Sequence, residues 1–302
     1  MAGQADSLKS ILFALSANSA IAVAKGVAAA VTGSSAMLAE AIHSVADSGN
    51  QLLLILGLRQ TKKSPTEDHP LGFGKSIYFW SFLVAVILFS VGGMFSLYEG
   101  THKLLHPTPL SHPWVAIAVL VFAIAAESVS LWGCLREVNK ERYGRNILQW
   151  FRQSRSSALI VVFGEDIAAL LGLVFALAAI IATYLTGNPL WDALGTISIG
   201  ILLIVVAFFI AVEVKDLLIG QSVDPPELEK MRQFLNRTPE VDNVYNLITM
   251  QFGPDAMVAV KARMAPTGSE IGLIAAINKV ESAFRSEFPS VAWLFFEPDI
   301  RD

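Results

Sequence analysis

The chain has 302 residues, 54% hydrophobic and 16% charged, and 22 Lys and Arg against 26 Asp and Glu give a net charge of −4. Soluble domains carry about 25% charged residues, so this composition excludes a disordered chain and an ordinary soluble protein. A single cysteine, Cys134, excludes a disulfide framework, and the acidic balance argues against a nucleic-acid partner.

The apolar residues concentrate between positions 11 and 219. A helix needs about 20 mainly apolar residues to cross a bilayer. Six segments meet that length: 11–31, 36–58, 77–98, 114–135, 157–184 and 190–212. The first has no small-residue cleavage site and runs straight into the second, unlike a signal peptide. The turns 32–35 and 186–189 have no Lys or Arg, and 101–113 has only Lys103. Arg59, Lys62, Lys63 and Lys75 follow the second span, and Arg136, Lys140, Arg142, Arg145, Arg152 and Arg155 follow the fourth. Basic loops mark the cytoplasmic side, so both termini are expected in the cytoplasm.

Past Gly220 the texture changes. Pro225 and Pro226 open a helix over 227–236, and strands follow at 244–252 and 256–264 around the turn Gly253-Pro254-Asp255. A second helix over 269–287 and a strand over 291–296 complete an αββαβ order. The expected fold is a membrane-embedded all-α bundle of six transmembrane helices (1–219) followed by a small two-layer α/β domain (220–302).

Seven ionisable residues fall inside the spans: Lys25, Glu40, His43, Asp47, Glu127, Glu165 and Asp166. Unpaired at mid-bilayer they would cost on the order of 15–20 kcal/mol together. Stability gains nothing from them there, so they point to a path or site for a polar solute. At about 100° per residue, Glu40, His43, Asp47 and Asn50 share one helical face, and His43 neighbours Asp47 at i,i+4. Imidazole with carboxylate suits zinc and similar borderline metals. The alternative is that these groups pair with Lys25 across the bundle. The fifth span adds Asp166 as a third ligand, with Glu165 as a further candidate beside it. Glu127 is either a stop along the path or an internal hydrogen-bonding group.

Outside the spans, His69 with Glu67 forms a weak candidate loop site, and the loosely spaced His102, His106 and His112 read as surface residues of an outer loop, with metal contact as the lesser alternative. Glu99 and Asp192 sit near span ends, where contact with water makes a charge cheap. Cys134 reads as a packed small hydrophobe.

The run from Gly33 to Asp47 (GSSAMLAEAIHSVAD), followed by Asn50-Gln51, resembles the second-span signature of the cation diffusion facilitator family. His69-Pro70-Leu71-Gly72-Phe73-Gly74-Lys75 and Tyr98-Glu99-Gly100 are similar to the same family, and the resemblance covers nearly the whole chain. It implies a homodimeric antiporter that exports zinc or another divalent metal against protons, with a ferredoxin- or metallochaperone-like cytoplasmic domain that dimerises. By the same resemblance His43 and Asp47 match the two ligands of span two, and Asp166 matches the second ligand of span five. Val162 stands where the first is usually His or Asp. The Glu165-Asp166 pair resembles the branch that includes the mitochondrial zinc exporter of animals. Phe73 replaces a second loop histidine, and no His or Cys follows Gly220.

The expected partners are therefore a divalent cation, protons, the lipid bilayer and a second copy of the chain. No prosthetic group is expected, since the metal is cargo. The expected location is a bacterial inner membrane, or an organellar membrane in a eukaryote. Metal ligands must be deprotonated to bind, so metal and protons compete for one site, and His43 and Asp47 are the expected coupling groups. An intramembrane metal-dependent hydrolase is the rival reading, and it lacks a His-Glu-x-x-His helix. A passive metal channel or sensor is a third.

Overall fold

The computed structural model describes residues 18–301, so the start of the first expected span, 11–17, lies outside the described residues. The described residues form two compact units. The first comprises 18–57, 80–140 and 158–213, and the second 58–79, 141–157 and 214–301.

The first unit is helical. Its elements are α1 (Asn18–Thr32), α2 (Ser35–Thr61), α3 (Ser76–Leu105), α4 (Pro113–Glu141), α6 (Ser157–Thr186) and α7 (Leu190–Ile219), several of which run on into the second unit. The short helix α5 (Ile147–Gln153) belongs to the second unit. Among the described residues four helices, α3, α4, α6 and α7, are long and apolar enough to cross a membrane. In α2 a polar stripe interrupts the apolar run: Glu40, His43, Ser44 and Asn50 are buried.

Large side chains such as Phe122, Val129, Phe208 and Phe209 are exposed on the outer faces. Inside, small residues bring helices together. A Cβ at Gly93 or Gly100 of α3 would collide with Ile204 or Ile197 of α7, and one at Gly200 would meet the backbone of α3 at Leu97. Such contacts let apolar helices pack without a hydrophobic drive between them. Midway along α3, residues Leu88–Met94 adopt a π-helical turn, which places one extra residue in the turn.

Helices α3, α4 and α7 run past their expected ends, to Leu105, Glu141 and Ile219, and one helix is unexpected. Helix α3 continues past Tyr98 to Leu105, so His102 and Lys103 lie in its last turn and His106 is its C-cap, none of them in an open loop. Helix α5 was not foreseen in the basic 136–156 segment. It is started by Asn146, which accepts from the Gln149 N–H while the Gln149 side chain reaches back to the Asn146 N–H, a reciprocal cap.

In the second unit, α8 (Pro225–Arg237), β1 (Val241–Phe252), β2 (Asp255–Met264), α9 (Glu270–Glu287) and β3 (Val291–Pro298) build a mixed three-stranded sheet. Strands β1 and β2 are antiparallel with Leu247 opposite Val260, and β2 and β3 are parallel with Val258 opposite Leu294. Along β2 the buried residues alternate, Ala256, Val258, Val260 and Ala262, the period of a strand with one buried face. The two helices cover that face through Met231, Leu235, Val280, Phe284 and Phe288.

Residues 58–79 and 141–157 pack onto this domain. Arg145 donates two bonds of 2.7 Å to the Asp224 carboxylate, and Arg155 donates to the Ser222 carbonyl. Lys75 lies over the Phe252 ring at 4.9 Å, and the Gly253 N–H donates to the Tyr78 hydroxyl at 2.8 Å. Gly74 meets the Phe252–Gly253 backbone so closely that neither Gly74 nor Gly253 has room for a Cβ, and Gly253 also has φ +64°. His69 stacks on Phe73, 4.5 Å between ring centres.

On the same domain the Glu240 carboxyl is held below its usual range by Lys279, and Asp299 is held down by the Ile300 N–H and by Lys261. Depressed folded-state values contribute stability that is full above the unfolded carboxylate range and is lost as pH falls through the folded values. Hydrogen exchange, corrected for intrinsic rates, should therefore show β1 and β3 equally protected at pH 7 and pH 5 and less protected only below about pH 4.

Candidate metal-transport site

All the ionisable groups expected within the spans belong to the first unit. Helix α2 is aimed by its N-terminus. The turn at Gly33, φ +67°, hands over to Ser34, whose hydroxyl accepts from the Met37 N–H at 3.1 Å. Asp192 of α7 then closes the cap. It accepts from the Ser34 hydroxyl at 2.5 Å, from the Ser35 N–H at 2.8 Å and from the Ser35 hydroxyl at 3.1 Å, and pairs with Lys103 of α3 at 3.3 Å. A carboxylate at a helix N-terminus satisfies orphan N–H groups and the helix dipole together. The expectation of a water-exposed Asp192 is thereby corrected: the residue is fully buried. Sequence position near a span end does not reveal that three helix ends meet there.

From that anchored end the polar face of α2 runs into the bundle. Lys25 of α1 donates to Glu40 at 3.1 Å and to the Ser44 hydroxyl at 2.7 Å, and all three are buried. Of the alternatives weighed for span two, pairing with Lys25 thus holds for Glu40. Glu40 Oε1 is left without a hydrogen-bond partner. It lies against Gly172 of α6, where a Cβ would displace it.

One turn on, His43 is fully buried with neither ring nitrogen hydrogen-bonded. Its Nδ1 lies 3.4 Å from Asp47 Oδ1, which is also without a hydrogen bond. A further turn along, Asn50 donates to Glu165 at 2.6 Å. Asp166 accepts from Ser130 of α4 at 3.2 Å, and its second oxygen, Oδ2, is buried and unpartnered.

Asp47, Glu127, Glu165, Asp166 and Val162 line one cavity together with Asn18, Ser44, Gln51 and Ser130, about 480 Å³ of empty space including its mouth. Helices α2, α4 and α6 thus bring four carboxylates to a single opening, and α1 adds Asn18 to its wall. His43 is not among the lining residues and faces the π-helical turn of α3 near Gly92. Among the described residues, no three His, Cys, Asp or Glu side chains converge on one ion in this conformation. His69 and Glu67 lie in the second unit, where His69 is engaged with Phe73. Sequence reasoning missed Ser130 as the partner of Asp166. The signal was available, because Ser130 lies three residues beyond Glu127 on the same helical face.

Buried polar groups are normally hydrogen-bonded, and exceptions need an explanation. Here they cluster: Glu40 Oε1, both His43 nitrogens, Asp47 Oδ1, Asn50 Oδ1 and Asp166 Oδ2. The oxygens, and whichever His43 nitrogen does not carry the ring proton, offer lone pairs of the kind a divalent cation or a proton takes up.

A profile of the cation efflux transmembrane domain matches residues 11–219. The chain is similar to the mitochondrial proton-coupled zinc antiporter SLC30A9 of Xenopus laevis, 36% identical over 224 residues that cover 74% of this chain and 40% of the relative. The human protein of that name is 33% identical over 224 residues, 74% of this chain and 39% of the relative. Metal tolerance protein C4 of Arabidopsis thaliana is 32% identical over 220 residues, 72% and 48%. The match spans less than half the length of each of these relatives. With its transmembrane region matched from 11 to 219, the chain belongs to the cation efflux, or cation diffusion facilitator, family.

Proposed function

We propose that the chain exports a divalent metal cation, zinc, in exchange for protons by alternating access. The observation that carries this reading is the set of unpartnered lone pairs on His43, Asp47 and Asp166 beside a carboxylate-lined cavity within the helices. The names of the relatives, proton-coupled zinc antiporters, support zinc and proton coupling here as well.

In this reading residues 1–219 form a six-span transport domain. Residues 220–302 form a cytoplasmic dimerisation domain, and both termini are cytoplasmic. His43, Asp47 and Asp166 hold the ion, Glu165 or a water completes the shell in place of Val162, and protons return to His43 and Asp47 when the ion leaves. Glu40, Asn50, Lys25 and Glu127 support the path. Side chains must turn for the ligands to meet, since three do not converge in the described conformation. Lys25 supplies a fixed positive charge that keeps one carboxylate, Glu40, engaged. Among the described residues no feature favours the hydrolase, which needs a metal and a general base.

The test is zinc flux into proteoliposomes with and without an imposed pH gradient. Flux that follows the gradient supports the antiporter. Flux indifferent to it returns the channel reading. Replacing His43 with Asp keeps an ionisable ligand but exchanges a borderline donor for a hard one. The variant should transport less zinc relative to manganese and reach its pH optimum lower, because a carboxylate releases its proton before an imidazole does. Paired zinc and manganese fluxes over a pH series check both shifts.

A further inference from the structure

The continuation of α3 to Leu105 creates a geometry that the transport site does not use. His102 and His106 stand one helical turn apart, at i and i+4, and both are exposed. Side chains at that spacing are neighbours on one face. The two rings have centres 5.1 Å apart and are tilted by 50° rather than stacked flat. Zinc binds imidazole nitrogen at about 2.0–2.1 Å in tetrahedral geometry, which puts the centres of two imidazoles on one ion about 5 Å apart. The separation on α3 therefore matches a two-imidazole clamp without backbone movement. Glu99, half-buried, occupies the same face one turn before His102. The neighbouring cation, Lys103, is turned inward and neutralised by Asp192, so no positive charge from it opposes a metal outside.

We propose that His102 and His106 form a second metal site, an external two-histidine clamp for a borderline divalent cation such as zinc, with water completing its shell. It lies at the end of α3 that carries Lys103, separate from the cavity lined by Asp47 and Asp166. Imidazole is the ligand class that zinc, copper and nickel prefer over calcium or magnesium, so the clamp takes transition metals and ignores the abundant hard cations. If the bundle exports zinc as proposed above, this is the first imidazole pair the released ion meets at that helix end. The clamp itself does not depend on that reading.

Equilibrium dialysis of the untagged full-length protein in detergent micelles against zinc chloride at pH 7.5 tests it. The His102→Ala/His106→Ala variant should bind one zinc fewer than the wild type, and calcium chloride should not restore the difference. Zinc flux at saturating zinc should be unchanged, since neither residue lines the transport cavity. Asp47→Ala should lose a different equivalent and keep this one, so failure of the transport reading shows in that variant alone. A control moves the second histidine: Leu104→His combined with His106→Ala puts the imidazoles at i and i+2, which do not face each other, and should not recover the lost zinc. Equal zinc stoichiometry in the wild type and the double-alanine variant would overturn the proposal. So would full recovery by Leu104→His, which would show that histidine number, not the clamp, decides binding.

Discussion

Replacing Asp47 or Asp166 with Ala should abolish zinc flux while leaving the protein as stable as before, or more so. Each carboxylate lines the cavity, and each has an oxygen that is buried without a hydrogen bond, Asp47 Oδ1 and Asp166 Oδ2. A buried polar atom without a partner costs stability in the absence of a bound ion, so removing it relieves that cost while removing a proposed ligand. Loss of a group that merely orients a metal ligand typically costs 10–100-fold in affinity or activity. Loss of the ligand itself should cost at least about 100-fold. The two readouts therefore move apart: flux in proteoliposomes falls to background, and the thermal midpoint of the purified protein holds or rises. A variant that melts early would reveal a structural role, and one that transports near the wild-type rate would remove the residue from the site. Asp166→Ala carries the sharper stability test, because its other oxygen accepts from Ser130 and that bond is lost as well.

Asp192→Ala should show the opposite pattern, a large loss of stability from a residue outside the cavity. The carboxylate accepts from Ser34 and Ser35 and neutralises Lys103, whose Nζ also donates to the Gly33 carbonyl. Alanine strands a buried ammonium and leaves the first N–H of α2 without its acceptor. Breaking one side of a buried ion pair costs about 3–5 kcal/mol, a fall of the thermal midpoint on the order of 10 °C. Asp192→Asn keeps an acceptor for the Ser35 N–H and should lie between the two. Combining Asp192→Ala with Lys103→Met removes the orphaned charge and should recover part of the loss. Thermal unfolding of the four proteins checks the order, and an unaltered midpoint for Asp192→Ala would mean that the buried network contributes nothing.

The apolar runs of α3, α4, α6 and α7 were legible because bilayer length and composition leave little choice. The alternation in β2 and the Gly253-Pro254-Asp255 turn were legible because strand period and turn chemistry are local. The polar face of α2 was readable for the same reason, since 100° per residue puts Glu40, His43, Asp47 and Asn50 together whatever surrounds them. Relations between helices were not readable. Nothing in the order of residues says that Glu165 takes Asn50 while Asp166 takes Ser130, or that Asp192 lies under the start of α2, because each pairing joins positions far apart in the chain. The end of α3 was misjudged for a different reason. Hydropathy stops at Tyr98, whereas helical hydrogen bonding continues through polar residues to Leu105.

The π-helical turn at Leu88–Met94 sets the rotational phase of everything that follows it in α3. A single extra residue advances the part of the helix that follows it by about 100° relative to an uninterrupted α-helix. Gly100 faces Ile197 of α7, Lys103 faces Asp192, and His102 and His106 face outward only in that phase. Deleting one residue from the turn would let α3 close into regular α geometry at no cost in hydropathy. It would also swing Lys103 away from its carboxylate and turn a side chain other than Gly100 toward α7. The irregular turn acts as a clutch within one helix, lying against His43 at Gly92 and holding the part that follows it in step with α7.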